Sequence, residues 1–111
     1  MAPRSAARLA DAAPVFAALG DATRLRLVSR LADEGPLSLS RLAAEEDATR
    51  QAVTKHVNAL EVAGLVASRW SGRERVFELR TRRLEEIRRQ LGEISSQWDE
   101  ALGRLKALVE K

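Results

Sequence analysis

The chain has 111 residues, of which 45% are hydrophobic but only 4% aromatic, so it can bury one modest core built on leucine, alanine and valine. It has no cysteine and a single histidine, His56, which excludes disulfides, thiolate metal sites and a histidine cluster within one chain. The net charge of +3 hides an asymmetry: residues 31–63 are acidic through Asp33, Glu34, Glu45, Glu46, Asp47 and Glu61, whereas residues 69–89 carry Arg69, Arg73, Arg75, Arg80, Arg82, Arg83, Arg88 and Arg89. Such a basic cluster is commonly a solvated face, but arginine also forks onto phosphates, so nucleic acid enters as a candidate partner.

The opening stretch MAPRSAARLADAAPVF lacks the apolar run of a signal peptide, and no segment is apolar and uncharged over membrane-spanning length. The expectation is a cytoplasmic protein with no membrane partner. Residues 4–19 place Leu9, Val15, Phe16 and Leu19 in an alanine-rich background and read as a first helix. It should bend or restart near Pro14, because proline fits a first turn and kinks an interior. Gly20 breaks the chain, and Asp21 can cap a second helix with Leu25, Val28 and Leu31 as its stripe, closed by Gly35 and Pro36. A short third helix follows in LSLSRLAAEED, capped by Ser38 or Ser40, with Leu39, Leu42 and Ala43 inward.

The fourth helix is TRQAVTKHVNALEVAGLV, residues 49–66, opened by Thr49 as N-cap and stopped by Gly64 as a left-handed C-cap. At about 100° per residue, Val53, Val57 and Leu60 fall within a sector of roughly 60°. Gln51, Thr54, Lys55 and Asn58 fall on the opposite side. That side has no acid and almost no apolar atoms, and each member can hydrogen-bond, whereas an ordinary solvated face more often mixes in glutamate. After Gly64 the period changes to two: LVASRW and RVFEL are β-type runs joined through Ser71-Gly72 as a hairpin. Val76 and Phe77 cannot both face inward on one strand, so one packs at an edge or against a helix. From Thr81 onward Leu84, Ile87, Leu91, Ile94, Trp98, Ala101, Leu105 and Leu108 recur at alternating spacings of three and four, predicting a helix of roughly 28 residues and about 42 Å. Gly92 and Gly103 weaken it, and a bend or break near Gly92 is allowed.

Helix, helix, short helix, turn, helix and hairpin is the order of a winged helix-turn-helix, with EDAT as the joint. The expected fold is mainly α with a small β-hairpin: one domain over residues 1–111, with its winged core at about 15–80 and a C-terminal dimerisation helix at about 82–110. A polar, acid-free face on the fourth helix suits the floor of the DNA major groove, where base edges offer donors and acceptors. Arg73 beside Gly72 would reach a neighbouring minor groove or its phosphates.

The blocks ALGDATRLRLVSRL, SLSRLAAEEDATRQAVTKHVNALEVAGLV and SGRERVFEL strongly resemble ArsR-type (ArsR/SmtB) winged-helix transcriptional repressors over about residues 15–80. The C-terminal heptads with QWDEAL look like the cysteine-free branch of that family. The resemblance implies a homodimer that binds a near-palindromic operator in double-stranded DNA and represses, often its own operon. It places base or backbone contacts on Arg50, Gln51, Thr54, Lys55 and His56, and wing contacts on Arg73. With the helix caps and the remaining polar face and wing, the candidate DNA-binding set is Ser38, Thr49, Arg50, Gln51, Thr54, Lys55, His56, Asn58, Arg73 and Arg75.

Two departures stand out. The family usually has an apolar residue where this chain has Glu46, and glycine where it has Asp47, a residue that tolerates a left-handed turn. The family's metal sensors carry a cysteine motif on the third helix, or Asp/His and His/Glu pairs on the last, and neither set is present, so metal sensing does not carry over and no cofactor is expected. His56, about 60° off the core stripe, suits packing as well as it suits a phosphate. Trp98 continues a heptad and reads as dimer core rather than ligand pocket, and Arg88 and Arg89 read as solvated. The expected dimer interface is Leu9, Val15, Phe16, Leu84, Ile87, Leu91, Ile94, Trp98, Ala101, Leu105 and Leu108. No nucleophile–base pair points to an enzyme. The competing reading is a protein-interaction module of winged-helix shape that docks a partner through its last helix, and such a module has no need of an acid-free fourth helix. The remaining candidate partner is an effector, a small molecule or a protein.

Overall fold

A computed structural model describes residues 10–110 of the chain. In order, the elements are α1 (Ala13–Leu19), α2 (Ala22–Glu34), β1 (Leu37–Ser38), α3 (Leu39–Glu45), α4 (Arg50–Val62), β2 (Val66–Ser71), β3 (Glu74–Leu79) and α5 (Thr81–Val109). The helices begin where local chemistry satisfies their free amides. Asp21 accepts from the Arg24 amide at 3.0 Å, Ser38 from the Arg41 amide at 3.1 Å, and Thr49 from the Ala52 amide at 3.0 Å. Between the two candidates for the third cap, Ser38 is the one used. Pro14 sits in the first turn of α1, where its missing N–H costs nothing.

The end of α4 fixes where the wing begins. Gly64 takes φ of 80°, its amide donates to the Glu61 carbonyl, and the Leu65 amide reaches back to the Leu60 carbonyl. This is the paired 6→1 and 5→2 arrangement that ends a helix and turns the chain out. At the other end of the wing Ser71 pairs with Glu74, so Gly72 and Arg73 alone form the turn. Gly72 has φ of 63°, and among the described residues only glycines have positive φ, so the turn is of the II′ kind with glycine first.

The sheet has three strands rather than the expected two. β1 pairs antiparallel with β3, Leu37 against Phe77 and Ser38 against Val76, giving the order β1-β3-β2. Phe77 is the inward member of the Val76–Phe77 pair and is fully buried. It packs with Leu27, Leu31, Leu42, Val53, Val57, Leu60, Leu65 and Val66 in one core. The α4 stripe Val53, Val57 and Leu60 is fully buried, as its periodicity predicts. The stripe of α2 differs: Leu27 and Leu31 face the core, Val28 lies at its margin, and Leu25 is 52% exposed. Leu25 stands about 120° from Leu31 at 100° per residue, too far round to share its face.

The expected interface also needs correction. Val15 is 1% exposed and Ile87 6%, and Leu84 packs partly buried against the same core. These three anchor α1 and the start of α5 to their own protomer, and Val15 and Ile87 have no surface left for a second chain. Leu9 lies outside the described residues. Phe16, Leu91, Trp98, Leu105 and Leu108 are exposed, together with Leu102 and Val109. α5 runs 29 residues without interruption at Gly92, about 43 Å at 1.5 Å per residue.

The helix-turn-helix joint is held by ions. Arg30 of α2 donates to the carbonyls of Leu42 at 3.0 Å and Arg41 at 3.2 Å, near the end of α3. It also pairs with Glu45 at 2.6 Å and with Glu34 and Glu46, each at 3.7 Å. The Glu46 side chain, 6% exposed, is shared with Arg26 at 3.4 Å. Where the resemblance led to the expectation of an apolar residue, this chain therefore seats a paired carboxylate. Asp47 does not adopt a left-handed conformation, so the joint needs no such residue there.

Candidate nucleic-acid interface

The polar face of α4 is presented to solvent in the described structure. Gln51, Lys55 and Asn58 are exposed, and Gln51 and Lys55 make no side-chain hydrogen bond or ion pair among the described residues. Thr54 is half-buried and its hydroxyl donates to the Arg50 carbonyl at 2.8 Å, which leaves the hydroxyl oxygen able to accept. Arg50 donates to the Ser40 hydroxyl at 3.0 Å, and that hydroxyl lies 3.2 Å from both oxygens of Glu74, which flanks the turn of the wing. Thr49 and Ser38, both in the candidate set, spend their side chains on caps.

His56 is tied to the protein rather than turned outward. Its Nδ1 accepts from Arg24 Nε at 3.2 Å and lies 3.8 Å from the Asp21 carboxylate. The Arg24 guanidinium also reaches the Ala18 carbonyl at 3.4 Å. The Asp21 carboxyl is held below its ordinary value of 3.8, first by the Arg24 amide it accepts, against desolvation, then by the charges of His56 and Arg24. This cluster joins the start of α2 to the back of α4, and nothing in periodicity alone exposes it, since 32 residues separate Arg24 from His56.

The wing is joined to α4 by a second cluster. Arg75 on β3 donates to Glu61 at 3.0 Å and to Ser68 at 3.1 and 3.2 Å, and reaches the Asn58 amide oxygen at 3.5 Å. Ser68 in turn donates to Glu61 at 2.6 Å, and the Arg75 guanidinium lies 5.0 Å over the Phe77 ring. Arg75, expected as a wing contact, is thus half-buried and bonded inside the protein, while Arg73 is exposed at the tip. The expected set separates into an outward group of Gln51, Lys55, Asn58 and Arg73, with the outer side of Thr54, and a bonded group of Ser38, Thr49, Arg50, His56 and Arg75. One large exposed side chain on the wing, Trp70, was not in the set. Reading Gly72-Arg73 as a two-residue turn places it opposite Arg75, and that register was the signal available to find it.

Among the described residues no three His, Cys, Asp or Glu side chains gather as a metal site, and no helix is long and apolar enough to cross a membrane.

Comparison with known proteins agrees with this geometry. Residues 19–69 match the family described as Helix-turn-helix domain. The chain is 37% identical over 93 residues to the HTH-type transcriptional regulator Rv2034 of Mycobacterium tuberculosis, covering 84% of this chain and 83% of that protein. Among solved structures it is similar to an ArsR-like transcriptional regulator from Rhodococcus sp. RHA1, with a TM-score of 0.80 and 37% identity over 92% of this chain and 95% of the other. It is also similar, with a TM-score of 0.62 and 25% identity over 90% and 89% of the two chains, to the homodimeric winged helix-turn-helix DNA-binding domain of Mb0332 from Mycobacterium bovis, a possible ArsR-family transcriptional regulator.

Proposed function

From the premise that this chain belongs to the ArsR-type family of DNA-binding, winged-helix transcriptional regulators, we propose that it acts as a homodimer on a near-palindromic operator and represses its own or a neighbouring operon. The observation that carries the dimer is the outer half of α5. Leu91, Trp98, Leu105 and Leu108 remain exposed after the protomer's core is complete, a longer apolar row than a single soluble chain normally leaves in water. The homodimeric solved relative supports the same reading. A two-fold dimer carries two α4 helices and two wings, so its operator repeats with inverted half-sites roughly one helical turn, about 34 Å, apart. Residues 1–111 then work as one unit, a winged core carried on a dimerisation helix, in the cytoplasm and without catalysis.

In this reading Gln51, Thr54, Lys55 and Asn58 address base edges, and Arg73 addresses the backbone or minor groove beyond. The signal that relieves repression is an organic ligand near the dimer interface, a partner protein or the repressor's own concentration; the apolar heptad positions of α5 favour the last two, and no metal set gathers among the described residues. The test is selection of bound duplexes from a random pool, followed by titrations with variants. Gln51→Ala and Thr54→Ala should lose discrimination by about 1–3 kcal/mol per base contact. Arg73→Ala should weaken all sequences alike and flatten the salt dependence. Recovery of no inverted repeat, or Gln51→Ala binding the selected duplex with unchanged affinity and specificity, refutes the assignment.

A further inference from the structure

The geometry points to Trp70 as a DNA-backbone contact: its indole covers a deoxyribose beside the major groove and donates Nε1–H to the adjoining phosphate. This deepens the operator-binding reading above and rests on it. The argument begins with register. Val66, Ser68 and Trp70 alternate onto one face of β2, opposite Leu79, Phe77 and Arg75 of β3. The inner part of that face is core, through Val66 and Phe77, and the middle part is bonded to α4, through Ser68 to Glu61 and Arg75 to Asn58. Trp70 is the next position outward on the same face, so it stands on the side of the wing turned toward the recognition helix. The tip with Arg73 begins two residues later. Along this face Trp70 therefore follows Ser68, which is bonded to α4, and precedes the turn that carries Arg73.

Among the described residues no hydrogen bond or ring contact engages the indole. Trp70 is 70% exposed, and Arg75, its cross-strand neighbour, lies over Phe77 instead of over the indole. It stands on the wing and outside the heptad-spaced apolar row of α5, so a second copy docking along α5 does not account for it. Its cross-strand partner is Arg75, and the exposed Arg73 follows in the turn. A flat apolar ring with one N–H donor, framed by cations, fits a sugar–phosphate edge, which offers an apolar ribose face beside an anionic acceptor. Such a contact carries no base information and positions the reading helix.

Its signature differs from that of an ionic contact, because burying an indole releases no counterions. Trp70→Ala should weaken binding about tenfold, roughly 1.4 kcal/mol, to the selected operator and to a random-sequence duplex alike, with the slope of affinity against salt unchanged. Arg73→Ala should flatten that slope. In the wild-type protein, addition of duplex should change the tryptophan emission, and the change should disappear in Trp70→Phe, which retains Trp98. Thermal unfolding of both variants should match wild type, since so exposed a side chain adds little to the core. The Phe variant keeps the ring, so the emission test holds independently of the alanine result. If labelled duplex binds by anisotropy while emission stays constant and Trp70→Ala binds normally, the assignment is overturned. If the wild-type protein binds no duplex even at low salt, the operator-binding reading itself fails, and this assignment with it.

Discussion

Arg30→Met tests whether the helix-turn-helix joint is held by its buried ions. Methionine keeps the length and most of the apolar stem while removing the guanidinium. Two charged hydrogen bonds to the carbonyls of Leu42 and Arg41 vanish, each of a kind contributing about 1.5 kcal/mol or more. Glu46, 6% exposed, loses one of its two cationic partners, and removing one partner of a buried pair costs about 3–5 kcal/mol. The pairs with Glu34 and Glu45 add little, because those carboxylates are 37% and 50% exposed and well solvated. The overlapping costs do not sum, and the expected loss is about 3–4 kcal/mol, a drop in Tm of roughly 12–20 °C for a chain of this size. Urea unfolding followed by helical circular dichroism, at one fixed protomer concentration, measures it. Arg41→Ala is the control: its side chain is 61% exposed, its bridges are 3.7 and 4.0 Å long, and its loss should cost under about 0.5 kcal/mol. Pairing Arg30→Met with Glu46→Leu should recover most of the deficit, since an apolar pair of similar volume commonly replaces a buried ion pair at little cost. A single-variant loss below about 1 kcal/mol, or a double variant no better than the single, refutes the reasoning.

Asp21→Asn should flatten the acid limb of stability: the folded carboxyl is held below 3.8, so its contribution is present above the unfolded value and is lost as pH falls through the folded one, which a pH series of urea midpoints reads. Leu105→Glu, on the exposed half of α5, should shift light-scattering mass toward the monomer while the protomer stays helical, whereas Ile87→Ala, inside the core, should cost about 2–5 kcal/mol of unfolding free energy. After chelation, micromolar zinc, cadmium, nickel or arsenite should leave operator affinity unchanged, and a tenfold change with any of them sinks the absence of metal control.

The parts of this fold legible in the sequence are those decided within a few residues. Asp21, Thr49 and Gly64 act through their own helix ends, and Val53, Val57 and Leu60 through the 3.6-residue period of two helical turns, so composition and spacing were enough. The parts that were not legible depend on partners far along the chain. β1 is two residues long and exists because Leu37 meets Phe77 forty positions later; it has no period of its own. The heptads of α5 mark one apolar row, but periodicity does not say which stretch faces home and which faces away, and Ile87 and Leu84 belong to the protomer while Leu105 and Leu108 do not. The polar face of α4 was visible as a pattern. Its division into outward Gln51 and Lys55 and tethered His56 and Arg50 required Arg24 and Ser40, which reach it from α2 and α3.

These tethers decide how the protein can be regulated. Arg24 fixes α4 to α2, Arg30 fixes α2 to α3, and Arg75 fixes the wing to α4. Each winged core, or reading head, is therefore one cross-linked body, and the part that stands clear of it is the stretch of the 29-residue α5 beyond Ile87. A tilt of α5 by about 5° over some 43 Å at 1.5 Å per residue carries its far end about 4 Å, far more than a base-edge hydrogen bond tolerates. The prediction is that any state failing to bind the operator differs in the separation of the two heads and not in their internal shape. The absence of native cysteine makes this directly measurable, because labels go only where cysteine is introduced. Spin labels at Arg69→Cys on both protomers report head separation, and a dimer with Arg69→Cys and Ala44→Cys on one protomer reports the shape of a head. On operator binding the first distance should narrow to a single value while the second stays within about 1 Å, the backbone change usual for pre-organised partners. A larger shift within the head than between the heads would show that the arginine tethers yield, and that regulation acts on the reading surface itself.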